Sequence, residues 1–496
     1  MKYKLSLPTL NRTALIAVAL LLIMGSCRER LVTPLEKSDF TEITSHEDMM
    51  QYVGEAASVS PNISLEIIGH THQEREIPAL KISSGEFGAD PSKVRVMIFS
   101  MLHGNEQSAK EGALLLVNAF ANRELNRFLR DIDLIVVPLV NADGAEVNRR
   151  QNAQGLDLNR DHVLLMAPEN RALHALFNRY LPEVTVDVHE YFPYGANWER
   201  FGYRKDFDMQ IGLVTNPNIS EQIIRFQNDI MLPFMQDYIE SRNYSFHNYL
   251  VGGIPGQSVT RHSTVDINDG RQSLGIQNSF SMIYEGINGR DRYAYNIDRR
   301  AKCQYESMVG LLEFVKENKS EIRSMVNEGR DALVNAVEGE PVAIRTEYIR
   351  GDSPLHMPLK SVSTGADTVL VVEEYYPIVD VIYEVERPAA YLIPAADTML
   401  KGILDRHDIT YSEQFSTEGY TISGYLVSEP GEEPEKREIT TLPDGVQYLY
   451  VPSAQLKANM LVIALEPYSE TGLINHPSFR YLTDSREYPV LRLESR

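Results

Sequence analysis

Cysteine is nearly absent: the 496 residues hold two, Cys27 and Cys303. Two thiols this far apart give no disulfide framework and no Cys-x-x-Cys zinc or redox motif, so any metal here must be bound by imidazoles and carboxylates. Positive charge is scarce as well. Lys and Arg total 48 against 69 Asp and Glu, a formal charge of −21. No basic stripe is present to displace phosphate counterions, which argues against a nucleic-acid partner; the acidic surface mainly favours solubility. There is no internal repeat. What remains is ordinary globular material, 43% hydrophobic and 24% charged, enough for two or three cores.

Near the amino terminus, Lys2, Lys4 and Arg12 precede an apolar run from Ala14 to Met24 that stops at Gly25-Ser26-Cys27. That run is short for a bilayer span, but the pattern is the basic region, apolar region and small-residue site of a secretory signal. A cysteine directly after small residues resembles a bacterial lipobox, with Met24 an atypical residue three places before it. Residues 1–26 therefore read as a signal peptide and Cys27 as the acylated first residue of the mature chain. Residues 27–44 follow as a tether. The expected location is across the inner membrane, lipid-anchored to the bacterial cell envelope.

The stretch Arg95 to Glu106 reads Arg-Val-Met-Ile-Phe-Ser-Met-Leu-His-Gly-Asn-Glu. An apolar strand, a turn with Gly104 and Asn105, and helix formers from Ala109 to Phe120 place His103 and Glu106 at a strand's carboxyl end. Upstream, Ser45 to Val53 reads as a short helix, and Leu65 to Ser84 alternates like a hairpin whose turn exposes His70 and His72. Downstream, Asp133 to Val140 is a second continuous apolar strand and Glu183 to His189 a third, the latter delivering His189 and Glu190. The segment between them, Asn141 to Asp161, is polar and Gly-rich, a long loop of the kind that is usually functional. Ser220 to Arg242 predicts one amphipathic helix with Ile223, Phe226, Ile230, Phe234 and Tyr238 on its buried face. Phe280 to Glu285 is a further strand ending in a carboxylate, and Cys303 to Val337 closes with one or two helices.

From Pro341 on, the chain is rich in strands and turns (Thr368 to Val372, Val379 to Val385, the acidic turn Glu429 to Glu438), interrupted by a helix at Ala395 to His407. No catalytic motif stands there. The expected fold is α/β, a mixed central sheet flanked by helices over residues 45–337, with a smaller β-rich domain over 338–496.

Taken together, the strand ends supply His103, Glu106 and His189, two imidazoles and one carboxylate, the set that binds zinc and leaves a coordination position open for water. Glu285, at another strand end, is the candidate base. With the intervening loop the pattern becomes specific. His103-Gly-Asn-Glu106, Asn141-Ala-Asp-Gly144, Arg150-x-Asn152, Asp157-Leu-Asn-Arg160, Val188-His189 and Tyr284-Glu285 together resemble, in order, the motifs of the M14 zinc carboxypeptidases, the carboxypeptidase A type, over roughly residues 45–315.

The resemblance implies a zinc metallocarboxypeptidase that hydrolyses the C-terminal bond of peptides by a zinc-activated water. The two-His, one-Glu ligand set is carboxypeptidase A's own. By the same resemblance His103, Glu106 and His189 are the metal ligands, Glu285 the general base and Arg150 the group that polarises the scissile carbonyl. Asn159 and Arg160 would hold the substrate's free carboxylate, Arg160 through a bidentate fork, and Asp157 would fix the tautomer of His103. The family's mobile tyrosine has no counterpart in Arg261 to Arg271; Tyr249 is the nearest upstream, and Arg271 or His262 stands as an alternative substrate contact. An M14-like amidase or deacylase acting on acylamino acids or cell-wall peptides would use the same zinc chemistry. An inactive surface protein binding peptides or glycans is the rival from another class, and the retained Glu285 argues against it.

Overall fold

The computed structural model describes residues 30–428 and 431–495; Cys27 and the signal segment lie outside them. Its centre is a sheet. In chain order the strands are β1 (Ile63–His70), β2 (Glu76–Ile82), β3 (Val94–Ser100), β4 (Ile132–Val137), β5 (Val184–Tyr191), a short outlying β6 (Tyr203–Arg204), β7 (Met209–Leu213), β8 (Phe246–Asn248), a short outlying β9 (Thr260–Arg261) and β10 (Phe280–Ile287). The spatial order is β1-β2-β4-β3-β5-β10-β7-β8. The pairs β4/β3, β3/β5, β5/β10 and β7/β8 are parallel and the rest antiparallel. This is the mixed sheet the apolar runs predict.

The chain leaves β3 for β4 on one side and later enters β5 on the other. At such a reversal the crossover connections diverge and open a crevice beyond the carboxyl ends of the strands. Helices cover both faces. Val96 and Ile98 of β3 point toward the helices His46–Val59, Gln107–Ala121 and Ile297–Glu317, while Met97 and Phe99 point toward Pro168–Tyr180, as a period of two requires.

Two segments differ from the expectation. The helix over 221–241 is not uniform: Glu221–Phe226 and Leu232–Ser241 are α-helical, and Gln227–Met231 between them is a π turn. Pro233 has no N–H to give the preceding turn, and a widened turn accommodates it. The buried positions become Ile223, Gln227, Met231, Met235 and Ile239, and Ile230 faces solvent. Gln227 accepts the buried place because its Nε2 donates to Ser281 O at 3.1 Å.

The other is residues 30–44, expected as a tether, which are docked. Leu31 and Asn122 exchange two hydrogen bonds of 2.9 Å, Leu35 is buried against Ile297 and Ala301, and Thr44 donates twice to the buried Glu111.

Beyond residue 338 follow β11 (Pro341–Ile349), β12 (Leu355–Ser361), β13 (Asp367–Val372), β14 (Tyr375–Tyr376), β15 (Ile378–Glu386), β16 (Ala390–Pro394), β17 (Tyr420–Leu426), β18 (Glu435–Glu438), β19 (Tyr448–Pro452) and β20 (Leu491–Ser495). Five of them form the sheet β18-β17-β20-β16-β19. The expected helix runs Thr398–Arg406, and a second one, Ala458–Leu465, is buried throughout; its unbroken apolar run gives no period to read. Strands of this region also reach across the chain: β12 pairs with β6 and β14 with β9. Tyr391, Ile393 and Leu461 share one continuous core with residues such as Val96 and Leu114.

The turn after β3 is packed backbone to backbone on the loop after β4. A Cβ on Gly104 would lie 2.2 Å from Gly144 C, 2.4 Å from Ala145 N and 2.6 Å from Arg149 O, none of which can rotate away. Gly104→Ala is therefore expected to destabilise the protein by about 1–3 kcal/mol, the range for overpacking a tight site. Chemical denaturation measures it, and an unchanged midpoint would show that the two turns are not in contact.

Candidate functional site

β3, β5 and β10 run parallel, with Ser100 opposite Val188 and His189 opposite Glu285. The residues just past β3, the last residues of β5 and those of β10 therefore meet at one rim. Past β3, Met101 adopts a left-handed conformation (φ +61°) and turns the chain so that His103 and Glu106 face β5. Glu106 is the last residue before the helix Gln107–Ala121.

His103, Glu106 and His189 are 4%, 5% and 1% exposed, and their ligand atoms lie within 4.8 Å of one another. His103 Nδ1 is 2.8 Å from Glu106 Oε1, His189 Nδ1 is 2.8 Å from Glu106 Oε2, and the two Nδ1 atoms are 3.1 Å apart. Burial pushes the Glu106 carboxyl upward, but the two imidazoles against it outweigh that and hold it below the usual carboxylate range.

The remaining nitrogen of each ring meets a carboxylate: His103 Nε2 is 3.1 Å from Asp157 Oδ1, and His189 Nε2 is 2.7 Å from Asp187 Oδ1. Both rings thus present Nδ1 toward the same point with a carboxylate beside the opposite nitrogen, an arrangement that fits a divalent metal. Asp187 was missed in the sequence. Its signal was available, since Thr185, Asp187 and His189 alternate along an otherwise apolar strand and so share one face.

The loop after β4 is held by its own motif. Asn141 Oδ1 accepts from Gly144 N (2.9 Å), and Asn141 Nδ2 donates to Leu102 O and Arg150 O (3.1 Å each). The ligand turn and Arg150 are thereby locked together. Asp143 accepts from Thr71 Oγ1, Gln73 N and Arg75 Nη1 (2.7 to 2.9 Å), which ties the β1–β2 turn to the same loop; His70 and His72 in that turn are exposed. Asn152 is buried and binds the backbone of Gln154 and Leu156. Arg150 Nε donates to Asp157 Oδ2 at 3.0 Å, and Nη1 stands 3.3 Å from His103 Nδ1. Asn159 is buried with its Oδ1 accepting from Gly270 N at 2.8 Å, whereas Arg160 is exposed in the cleft.

Glu285 completes the rim. Its carboxylate makes no hydrogen bond or ion pair among the described residues, and its pKa is pushed up to about 7 by burial, with His189 opposing the shift and Glu106 adding to it. Glu190, the neighbouring carboxylate, is committed elsewhere: Arg300 Nη2 and Ser108 Oγ donate to it at 2.7 and 2.6 Å.

A cavity of about 530 Å³ joins His103, Glu106, Arg150, Asn159, Arg160 and Glu285. Tyr249, the nearest upstream tyrosine named from the sequence, also lines it, as does Lys205, which motif reasoning did not place. Lys205 has its pKa lowered to about 8 by burial. Neither His262 nor Arg271 reaches the cavity surface. A larger cavity of about 900 Å³ lies between Asn243–Ser245 and the β12–β13 hairpin and contains none of the three ligands.

Residues 49–191 match the Peptidase M14 family, described as zinc carboxypeptidase. Among curated proteins the chain is similar to carboxypeptidase 2 of Trichophyton tonsurans, 25% identical over 86% of this chain and 81% of that one. It is equally similar, at 25%, to carboxypeptidase 2 of Trichophyton rubrum, over 65% of this chain and 61% of that one, under two thirds of that relative's length. Among solved structures, carboxypeptidase A from Helicoverpa armigera aligns at 18% identity with a TM-score of 0.44, covering 64% of this chain and 81% of that one. The stretch that matches the zinc carboxypeptidase model contains His103, Glu106, Asp157, Asn159, Arg160 and His189 in their motif order.

Proposed function

We propose that this chain is a zinc metallocarboxypeptidase that removes the terminal residue of peptides bearing a free C-terminal carboxylate, with Glu285 as general base. The observation that carries this reading is the placement of Glu285, unpaired, opposite the ligand His189 and in one cavity with Asn159 and Arg160. Held by His103, Glu106 and His189, zinc would lower the pKa of a water and polarise the scissile carbonyl.

The chain's own groups supply the rest. Glu285 takes the proton from the attacking water and returns it to the leaving amine, a transfer suited to a carboxyl whose pKa lies near neutrality. Arg150, steadied by Asp157, meets the negative charge that develops on the carbonyl oxygen. Arg160, exposed to the cleft and with no carboxylate partner among the described residues, grips the substrate's terminal carboxylate beside Asn159. Asp157 and Asp187 orient the ligand rings. Export by segment 1–26 and lipid anchorage at Cys27 belong to the same proposal, supported by the sequence pattern, as does a division between a peptidase domain at 45–337 and a companion at 338–496.

The purified full chain should bind about one zinc with open four-coordinate geometry, and Asp187→Asn should weaken zinc affinity by roughly ten- to a hundredfold. Elemental analysis and competition with a chelator read both. Full zinc in His189→Ala would remove that ligand.

Glu285→Gln keeps the shape of the side chain and removes the base, so turnover should fall by about a hundredfold or more while zinc stays bound. Near-normal turnover in that variant would put the base elsewhere, and Arg300 leaves Glu190 no freedom to take over.

Exopeptidase mode is tested with matched peptides ending in a free acid or an amide. The amide has lost the charge and one acceptor that Arg160 engages, so its cleavage should be abolished in the wild type, and Arg160→Ala should narrow the difference. Equal cleavage of both peptides would leave the amidase reading, or an endopeptidase, in place of this one.

A further inference from the structure

Arg271 is fully buried, and none of its guanidinium nitrogens has a hydrogen-bond partner among the described residues. Burying a cation without bonding partners is costly, and side chains in this state usually await a ligand or water. Its nearest acid is Asp269, whose Oδ2 is 3.5 Å from Nη2. Asp269 is occupied in part as the helix cap that accepts from Gln272 N at 3.2 Å. The Asp269 contact balances charge on one edge of the guanidinium and leaves the other edge free.

That other edge faces β7 and the residues behind the cavity wall. Nη1 lies against Gly212 of β7, where a Cβ would come within 2.5 Å of it, 2.7 Å of Ile283 Cγ2 and 2.9 Å of Tyr249 Cδ1. Glycine at 212 is what admits the guanidinium there. Ile283 and Tyr249 both line the cavity that contains Glu285, so Arg271 stands directly behind the cavity wall. Asn159, the proposed carboxylate holder, is bonded to the neighbouring Gly270. A peptide whose terminal carboxylate rests on Asn159 and Arg160 would send its last side chain toward this wall.

We propose that Arg271 makes the pocket for the terminal side chain selective for an acidic residue, glutamate or aspartate, through a charge-assisted fork of the kind only a guanidinium offers. The proposal rests on the carboxypeptidase reading and deepens it. The basic lining of the cleft favours the same substrates: Lys205, Arg261 and Arg292 line it, and none of the three forms an ion pair with a carboxylate in the cavity.

The test uses the zinc-loaded full chain and two readouts. In the first, free-acid peptides identical except for a terminal Glu, Gln, Leu or Lys are compared by kcat/KM. Glu is expected to exceed its isostere Gln by roughly ten- to a hundredfold, the value of a hydrogen bond to a charged group. Arg271→Met should remove that ratio while still cleaving the Leu peptide, and Arg271→Lys should restore it only in part. In the second, N-acetylglutamate and N-acetylglutamine are titrated by calorimetry, where the same ratio should appear in affinity.

Glu and Gln peptides cleaved equally by the wild type, or a ratio that survives Arg271→Met, overturns the pocket and leaves the carboxypeptidase reading intact. If no peptide is cleaved but acetylglutamate binds tighter in an Arg271-dependent way, the pocket stands and the peptidase reading falls. If neither ligand is preferred and nothing is cleaved, both fall. The wild-type comparisons decide the matter even where a variant fails to fold.

Discussion

The site depends on a registry: three parallel strands run side by side, β5 and β10 ending opposite each other and β3 stopping opposite Val188, so that residues distant in sequence are delivered to one rim without long-range adjustment. Because His189 sits opposite Glu285, a candidate ligand and a carboxylate unpaired among the described residues share a face of adjacent strands. The backbone ladder fixes their spacing, and no flexible loop is asked to hold it. A slip of one residue between β5 and β10 would turn one of the two to the opposite face. Continuous apolar sequences on both strands hold the register because helices bury both faces.

The loop after β4 adds what strands cannot, groups that approach the candidate metal ligands from outside the sheet. Asn141 and Asp143 use their polar atoms on the backbone and on the β1–β2 turn, so their chemistry is architectural. Arg150, Asp157 and Asn159 are thereby placed over the ligands. The close approach of Gly104 to Gly144 couples the two layers: motion of this loop would be felt at His103. The region beyond residue 338 works at the far wall. Its β14 pairs with β9, and Tyr348 Oη donates to Ser263 O at 2.6 Å, which fixes the start of the segment that leads to Asp269 and Arg271.

How much of this the sequence disclosed follows from what each signal measures. Apolar runs located β3, β4, β5 and β10, and the order of motifs picked out the candidate ligands that the fold brings together, because both are local patterns. The buried face at 221–241 was misjudged since a period of 3.6 assumes an uninterrupted helix, and Pro233 with its π turn shifts the phase by a residue. The helix Ala458–Leu465 escaped for the opposite reason, being apolar all round with no period at all. Asp187 lay within an apolar strand where the eye reads hydrophobicity, although its alternation with Thr185 and His189 marks the face that turns to the site. The partners of Arg271 depend on which strand neighbours β10, and nothing local to Arg271 encodes that.

The charge distribution shows how global and local electrostatics separate. A net charge of −21 would oppose an anionic peptide if it acted uniformly, yet fields from exposed charges fade over about 8 Å at physiological ionic strength. Within the cleft, low-dielectric walls lengthen the reach of the groups that line it. There the acids are largely spoken for: Glu106 by two imidazoles, Asp157 by His103 and Arg150, Glu190 by Arg300. The bases Arg160 and Lys205 face the cavity without carboxylate partners among the described residues. The acidic exterior and the cleft, where Arg160 and Lys205 stand without such partners, are therefore electrostatically distinct.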